Sequence, residues 1–171
     1  MENQRILKPQ LVMFRPALAN LPTIQLPAGY ETRTFESGDE DAWEFIINHS
    51  FGYKSNFQKE IASNKAFSPE RILFICYGDT PVATATAWYR PIWGEHTGYQ
   101  HMVGALSSHG GKGLGLQVSL TALYQMRKEG RLASILETDD FRIPAIKTYL
   151  KLSYKPLLVH ENQGNRWDNI F

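Results

Sequence analysis

Residues 103–115 read Val-Gly-Ala-Leu-Ser-Ser-His-Gly-Gly-Lys-Gly-Leu-Gly and contain the sharpest feature of the sequence. Its glycine cluster, Gly110 to Gly115, lies between a predicted strand at Tyr99–Leu106 and a predicted helix that runs to about Lys128. Glycines allow the backbone to approach a ligand closely and to adopt positive φ. The free amides of a helix's first turn, helped by the helix dipole, then face an anion. The stretch predicts a turn that binds phosphates; the alternative is a glycine turn that holds no ligand.

The spacing of these glycines excludes two common phosphate-binding motifs. A Walker loop needs Ser or Thr after its lysine and a glycine five residues before its last glycine. Here Gly113 follows Lys112, and Leu106 stands in the place of the first glycine. A dinucleotide fingerprint would need glycine at Leu116 or at Val118. Each anion contact at a helix start contributes about 0.3–1 kcal/mol, so useful affinity needs several of them together, and a diphosphate satisfies that requirement.

The apolar pattern on either side of the turn predicts a mixed α/β fold, because strand-like and helix-like periods alternate along the chain. Before the turn we predict an extended, proline-containing arm over residues 1–28 with a short strand at 11–14, strands at 30–35, 71–77 and 82–89, a turn at 78–81, a helix after residue 40 and a short helix at 57–62. After it we predict a strand at 132–137, a helix capped by Asp139 or Asp140 with Pro144 in its first turn, a strand at 154–160 and a loop at 161–165. The crossover between the strands at 99–106 and 132–137 should be parallel and right-handed.

Composition and charge narrow the function classes. The chain has 171 residues, which suits a single domain over residues 1–171. Eighteen basic and seventeen acidic residues give a net charge of +1, and no basic run stands out. We therefore expect no nucleic-acid partner and no anionic membrane partner. The amino terminus lacks the apolar core of a signal peptide, so the expected location is the cytoplasm.

Cysteine and histidine usage argues against metal chemistry. The single cysteine, Cys76, excludes an internal disulfide and a thiolate metal cluster, and its apolar neighbours predict a buried, inert thiol. The histidines at 49, 96, 109 and 160 show no metal-ligand spacing. We therefore expect no metal.

The glycine stretch resembles the acetyl-CoA-binding motif of the GNAT superfamily of N-acetyltransferases. That motif reads Arg/Gln-x-x-Gly-x-Gly/Ala at a strand-to-helix junction. Gly113 and Gly115 fall on its glycines, whereas Gly110 stands where the family usually has Arg or Gln. The substitution removes a side chain but keeps the backbone amides, which hold most of the pyrophosphate in the family.

A second segment, residues 138–154, is similar to a later motif of the same family. Ala145 and Tyr149 match its alanine and tyrosine, while Arg142 replaces a frequent asparagine and Ser153-Tyr154 replaces a Gly-Phe pair. Two motifs in the right order and at the right separation support each other. Together they cover residues from about 99 to 156.

The resemblance implies a GNAT-type fold with a central mixed sheet of six to seven strands flanked by about four helices. The seventh strand could be missing, or supplied by the amino-terminal arm or a partner chain. The implied activity is transfer of an acetyl group from acetyl-CoA to the amine of a small molecule, by direct attack and without a covalent enzyme intermediate. The family's two adjacent parallel strands splay apart to admit the pantetheine arm; here these would be Tyr99–Leu106 and Leu132–Glu137.

The resemblance also assigns a set of cofactor-binding residues. The backbone of Ala105, Leu106 and Ser107 would pair with the pantetheine arm, and an amide near Gly104 to Leu106 would polarise the thioester carbonyl. The complete set is Gly104, Ala105, Leu106, Ser107, Gly110, Gly111, Lys112, Gly113, Leu114, Gly115, Arg142 and Tyr149.

Three residues are candidates for catalysis. By the same resemblance Tyr149 is the general acid for the leaving sulfur, although a tyrosine on an amphipathic helix also packs. His101 and Glu137 are candidate general bases, and a water relay is the alternative to both. Strand alternation puts His101, Val103 and Ala105 on one face, and Gln100, Met102, Gly104 and Leu106 on the other.

The acceptor side is less defined. The aromatic segment from Trp88 to His96 either faces the acceptor or packs Trp88 and Trp93 over the sheet edge. Two alternatives to a small-molecule acetyltransferase stay open: a noncatalytic acyl-CoA-binding module and a protein or peptide N-acetyltransferase. The sequence is compatible with a monomer or a homodimer.

Overall fold

Strands and helices alternate through most of the chain, and the computed structural model describes them over residues 9–171. The strands are β1 Leu11–Arg15, β2 Tyr30–Thr34, β3 Ile72–Tyr77, β4 Thr80–Trp88, β5 Thr97–Ala105, β6 Ala133–Thr138 and β7 Lys155–Leu157. The α-helices are α1 Glu40–Phe51, α2 Leu114–Lys128, α3 Ile143–Lys151 and α4 Gln163–Asp168. A π-helical turn spans Gln58–Ala62, and 3-10 turns span Pro69–Arg71, Pro91–Trp93 and Ser107–His109.

All seven strands form one sheet in the order β2-β3-β4-β5-β6-β1-β7. Neighbouring strands are antiparallel except β5 and β6, which are parallel and connected through α2. The predicted mixed sheet with about four helices is therefore confirmed, as is the parallel crossover.

The amino-terminal arm supplies the seventh strand. Its strand β1 lies between β6 and β7, where Met13 is opposite Leu136 on one side and Pro156 on the other. After β1 the arm stays extended because its prolines disfavour helix. It crosses α2, where the Tyr124 hydroxyl donates to the Pro22 carbonyl at 2.6 Å. The seventh strand is therefore present, and the arm supplies it.

Two apolar cores lie on opposite faces of the sheet. Helix α1 covers one face with fully buried Trp43, Ile46 and Ile47, the stripe that helical spacing predicts. Helices α2 and α3 cover the other face, where Leu120 and Ile146 are buried. Cys76 is buried as predicted, and burial raises the pKa of its thiol.

The predicted hairpin turn and the predicted last strand are both longer than those of the structure. Strand β4 begins at Thr80, so a two-residue turn, Gly78-Asp79, replaces the predicted four-residue turn. Gly78 has φ +60°, a conformation that glycine adopts without strain. The predicted strand at 154–160 is paired only over Lys155–Leu157.

The carboxyl-terminal segment forms α4, where a loop was predicted, because long-range contacts hold it. Trp167 is buried at 4% exposure, and Gln163 is fully buried and donates to the Gln10 carbonyl at 2.8 Å. Arg166 binds both carboxylate oxygens of Asp140, at 2.6 and 3.0 Å.

The prediction that Asp139 or Asp140 caps α3 is also wrong. The residue at the cap position is Arg142, and no side chain caps the helix. Asp140 is occupied by Arg166, and Asp139 accepts a hydrogen bond from Gln10 at 3.1 Å. Pro144 does lie in the first turn, where backbone donors are free in any case.

No helix in residues 9–171 combines the length and the apolar character that crossing a membrane requires.

Candidate active site

A wedge-shaped cleft opens between the parallel strands β5 and β6. The two strands pair at only three positions, from Thr97–Ala133 to Tyr99–Ile135. Beyond these pairs β5 continues to Ala105 and β6 to Thr138 without a shared register. The backbone of β5 therefore faces the cleft without a strand partner, which suits an extended ligand that adds to a sheet edge. The splay that the resemblance implies is present in these two strands.

A β-bulge in β5 changes which face of the sheet each of its later side chains occupies. Thr84 pairs with Gly104 and Thr86 with His101, so Met102 and Val103 both lie opposite the single residue between them, and Met102 has φ +50°. Such an extra residue breaks the alternation of side chains.

The predicted alternation along β5 is therefore wrong. His101 stacks on Trp88 and Met102 packs with the core on the α1 side. Val103 packs with the core on the α2 side, where the Gln100 side chain donates to the Ser119 carbonyl at 3.0 Å. His101 thus shares a face with Met102, and Val103 shares one with Gln100.

At the end of β5, Ala105 is the residue whose backbone N–H and C=O face the cleft. The Leu106 amide donates to the Val82 carbonyl at 2.9 Å, so it is directed to β4 and cannot polarise a carbonyl in the cleft. Hydrogen-bonded and non-bonded pairs alternate in an antiparallel ladder, so Ala105 directs its own N–H and C=O the other way. The carbonyls of Leu106 and Ser107 accept bonds from the following turn. Of the three predicted backbone partners, Ala105 is the one that the geometry supports.

The glycine turn presents an uncapped helix start to solvent. Gly111 and Gly113 have φ +76° and +69°, which side chains rarely tolerate. Gly113 is the cap residue of α2, and no side chain occupies the free amides of the first helical turn. Residues 110–113, including Lys112, are exposed. The arrangement matches a backbone anion site next to the open end of the cleft.

Two adjoining cavities occupy the cleft. The smaller, about 260 Å³, lies beside the glycine turn and is lined by Gly104, Ala105 and Gly115. The larger, about 440 Å³, lies toward the closed end, where β5 and β6 pair. Tyr149 and Val103 line both, so the two cavities meet at these side chains.

Tyr149 is placed where the two cavities join. Its side chain is 8% exposed, and burial raises the pKa of its hydroxyl to about 12, against the opposing charge of Arg142. The hydroxyl therefore stays protonated at neutral pH and can donate a hydrogen bond into either cavity.

Glu137 lies at the closed end of the larger cavity and is bound by two donors. Arg90 Nη1 donates to its Oε1 at 2.7 Å, and the Tyr99 hydroxyl donates to the same oxygen at 3.2 Å. The Arg90 guanidinium also lies 4.0 Å above the Tyr99 ring. Both bonds end on Oε1, which leaves Oε2 for a third partner.

His101 is a poor candidate for the general base. Its half-buried ring lies against Trp88 and Tyr99. Burial, with a smaller contribution from the Arg90 charge, lowers the pKa of the imidazole to about 3. An imidazole with so low a pKa accepts a proton poorly at neutral pH, so Glu137, or a water bound to it, is left as the candidate base.

Arg142 and Asp139 line the larger cavity from the loop that follows β6. The Arg142 guanidinium lies 4.0 Å above the Phe51 ring and 3.5 Å from Asp139 Oδ2. Arg142 does not line the cavity beside Gly115, so its predicted contact with the cofactor stays a prediction.

The aromatic segment 88–96 contributes a charge to the cleft and packs its tryptophans. Trp88 is 4% exposed, and both Trp88 and Trp93 belong to the core on the α1 side. Arg90 is the only residue of the segment that lines the larger cavity.

Sequence reasoning missed Arg90, Tyr99 and Asp139 as residues of this cavity. Arg90 directly follows β4, and an arginine at a strand end next to a predicted cleft was an available signal. Nothing local in the sequence marks the pairing of Arg90 with Glu137, which are 47 positions apart. Within residues 9–171 no group of three or more His, Cys, Asp or Glu side chains could hold a metal ion.

Comparison with known proteins points to one family. A family model described as the Acetyltransferase (GNAT) family matches residues 31–154. A mycothiol acetyltransferase of Pseudarthrobacter chlorophenolicus is 28% identical over 163 residues, covering 89% of this chain and 47% of the relative. That of Frankia alni is 28% identical over 156 residues, covering 81% of this chain and 46% of the relative. The chain thus spans about half the length of these curated relatives.

Solved structures share the fold. A GCN5-related N-acetyltransferase from Sphaerobacter thermophilus superposes with a TM-score of 0.69 at 21% identity, covering 88% of this chain and 50% of that one. The ribosomal-protein-S18-alanine N-acetyltransferase from Escherichia coli superposes with a TM-score of 0.63 at 17% identity, covering 75% and 79%.

Proposed function

The chain belongs to the acetyltransferase (GNAT) family, and from that premise we propose that it transfers an acetyl group from acetyl-CoA to the amine of a small molecule. The attack is direct, without a covalent enzyme intermediate. The observation that carries the proposal is the cleft between β5 and β6, which joins an uncapped, glycine-rich helix start to a buried tyrosine and a bound carboxylate. When bound, acetyl-CoA supplies an activated acyl thioester.

The residues at the open end of the cleft suit the cofactor. The free amides of the first turn of α2, with Gly111 and Gly113 in left-handed conformations, form a cradle for a diphosphate. The Ala105 N–H would hydrogen-bond the extended pantetheine arm, and so would its carbonyl, which otherwise accepts only a 3.5 Å bond from the Ser50 hydroxyl. A backbone amide between Val103 and Ala105 would polarise the thioester carbonyl, because these residues follow the bulge and border the cleft.

At the closed end, Glu137 would receive the acceptor amine. Its Oε2 has no donor from Arg90 or Tyr99, so an ammonium group can hydrogen-bond there. The amine loses a proton to Glu137 or to a water that Glu137 orients, and its nitrogen attacks the carbonyl carbon. The new bond is N–C and the broken bond is C–S, and the nitrogen gives up its second proton to the same base or water as the amide forms.

Tyr149 would donate to the departing sulfur. Burial keeps its hydroxyl protonated, so a hydrogen bond to the thiolate is available at neutral pH. The sulfur leaves as the CoA thiol once a proton from Tyr149, or one relayed through it from solvent, is transferred. Tyr149 lines both cavities, as this role requires.

The size of the larger cavity favours a small acceptor over a folded protein. A volume of about 440 Å³ is in the lower part of the range of about 300–1,000 Å³ for small-molecule sites. The relatives found by sequence similarity are named mycothiol acetyltransferases. The ribosomal-protein acetyltransferase shares the fold alone.

The test is amine-dependent release of CoA from acetyl-CoA by the purified chain, with the acetylated amine identified by mass spectrometry. We expect one class of small amines to drive release well above background hydrolysis. Acetyl-CoA binding without turnover on any amine would favour the noncatalytic acyl-CoA-binding alternative. Turnover on peptides but not on small amines would favour a peptide acetyltransferase.

A further inference from the structure

Arg142 carries a cavity-lining charge that the protein itself compensates weakly. Within residues 9–171 its one ion-pair partner is Asp139, and their shortest contact, from Nε, is 3.5 Å. Charge-assisted hydrogen bonds are normally about 2.7–2.9 Å. The other arginines with carboxylate partners hold them at 2.6–2.7 Å; these are Arg33, Arg71, Arg90 and Arg166. The terminal nitrogens of Arg142 are therefore available to a ligand.

The guanidinium of Arg142 is nevertheless held in place. Its centre lies 4.0 Å from the Phe51 ring and 5.5 Å from the Phe141 ring, and the side chain is 22% exposed. Stacking on an aromatic face fixes the plane of a guanidinium and leaves its N–H edge free. A planar fork of this kind matches a carboxylate in two parallel hydrogen bonds. The site is thus preorganised for an anionic group.

The same cavity contains the complementary charge. Glu137 lines it too, with Oε1 occupied by Arg90 and Tyr99 and with Oε2 left for a donor. One cavity of about 440 Å³ therefore offers a carboxylate for an amine and a guanidinium for an acid. Tyr149 lines both this cavity and the adjoining cofactor cavity. An amine bound near Glu137 would therefore lie in the cavity that adjoins the thioester carbonyl carbon.

We propose that the acceptor is an amino-acid-like molecule that bears a carboxylate as well as its amine, and that Arg142 determines this specificity by binding the carboxylate. The inference rests on the function proposed above and narrows its substrate class. It moves Arg142 from the cofactor, where the resemblance places it, to the acceptor. The acyl transfer is otherwise the same: the ammonium nitrogen gains the acetyl group and gives up two protons, one to Glu137 or its water and one that balances the proton taken up by the sulfur.

The first test compares amino acids with one amine and one carboxylate with their own carboxamides as acceptors, for example alanine, serine and leucine against the corresponding α-amides. The amide has no carboxylate but the same skeleton. Its amine is less basic, so more of it is neutral at pH 7.5 and chemistry alone favours the amide. A higher kcat/KM for the acids, by about 10- to 100-fold, would therefore report recognition of the carboxylate.

The second test uses Arg142→Gln and Arg142→Lys, with Arg131→Gln as the matched control. Arg131 also lies over an aromatic ring, that of Tyr89, at 4.7 Å, and it does not line the cavity. We expect Arg142→Gln to raise KM for the acids by about 10- to 100-fold, to leave the amides unaffected and to leave acetyl-CoA affinity by calorimetry unchanged. Arg142→Lys should have a KM for the acids between those of the wild type and Arg142→Gln, because lysine keeps the positive charge but cannot form the two parallel hydrogen bonds of a guanidinium. Arg131→Gln should match the wild type.

The outcomes separate this inference from the proposed function. Acetylation of amines without preference for acids overturns the role of Arg142 and leaves the acetyltransferase proposal intact. Weaker acetyl-CoA binding by Arg142→Gln, with the acceptor preference preserved, assigns Arg142 to the cofactor and also overturns it. The wild-type comparison of acids with amides needs no variant, so it decides the question even where Arg142→Gln fails to fold.

Discussion

The contact between α1 and β5 at Gly104 allows a quantitative test of the cleft's geometry. A methyl group at this position would lie 2.6 Å from Ser50 Oγ, 3.0 Å from Ser50 Cβ and 3.3 Å from Ile46 Cγ2. Favourable carbon contacts are about 3.5–4.0 Å, so α1 would have to move away from the strand. Overpacking of this kind costs about 1–3 kcal/mol. We expect Gly104→Ala to lower the free energy of unfolding by that amount.

Urea denaturation followed by tryptophan fluorescence measures the change. The control is Gly115→Ala, because a methyl group there meets no atom within 4 Å and lies in α2. Alanine is favoured over glycine inside a helix by about 0.5–1 kcal/mol, so the control should be neutral or stabilising. Adding Ser50→Ala to Gly104→Ala should recover part of the loss, since it removes the 2.6 Å contact and keeps the 3.0 Å contact. If Gly104→Ala is as stable as the wild type, α1 does not pack this closely on β5, and the described position of β5 at the edge of the cleft is contradicted.

Three further predictions concern the site. Tyr149→Phe should lower kcat by about 10²–10⁴-fold with acetyl-CoA affinity unchanged, measured by steady-state kinetics and calorimetry; an unchanged kcat would make Tyr149 a packing residue. His101 has a pKa of about 3 when folded, so the unfolded chain takes up its proton first and stability is lost as pH falls from about 6.5 toward 3, by up to about 1.4 kcal/mol per pH unit. His101→Gln should flatten that dependence of the melting temperature on pH, and an identical slope would contradict the neutral, half-buried imidazole. Tyr30→Phe removes a 2.7 Å hydrogen bond to His109, which directly precedes the glycine cluster, and should weaken acetyl-CoA binding several-fold in calorimetry; equal affinity would show that this bond does not position the turn.

Local signals in the sequence accounted for the elements around the glycine turn. The turn, the helix after it and the strands on both sides follow from glycine chemistry and from apolar periods of 2 and 3.6 residues. The position of β1 does not follow from local signals, because an arm with one short strand can pair at several sheet edges. Only the completed sheet selects the place between β6 and β7. Likewise α4 depends on Gln163 and Trp167 being buried against distant residues.

The bulge at Met102 shows most clearly where strand alternation fails to predict which face of the sheet a side chain occupies. Nothing in Gln-His-Met-Val marks a methionine for positive φ, yet this one residue reverses the face of every side chain after it. Glu137 and Arg90 were each identifiable as a polar residue at the end of a strand beside the cleft. Their pairing was not, since it depends on how β4 and β6 are arranged around β5.

Binding of acetyl-CoA in the cleft and at its glycine turn underlies every step proposed for this protein. Calorimetric titration of the purified chain with acetyl-CoA, CoA and ATP, at one fixed salt concentration, measures that binding. We expect both CoA species to bind and ATP not to compete with them. Failure of the folded protein to bind either CoA species would contradict the proposed site.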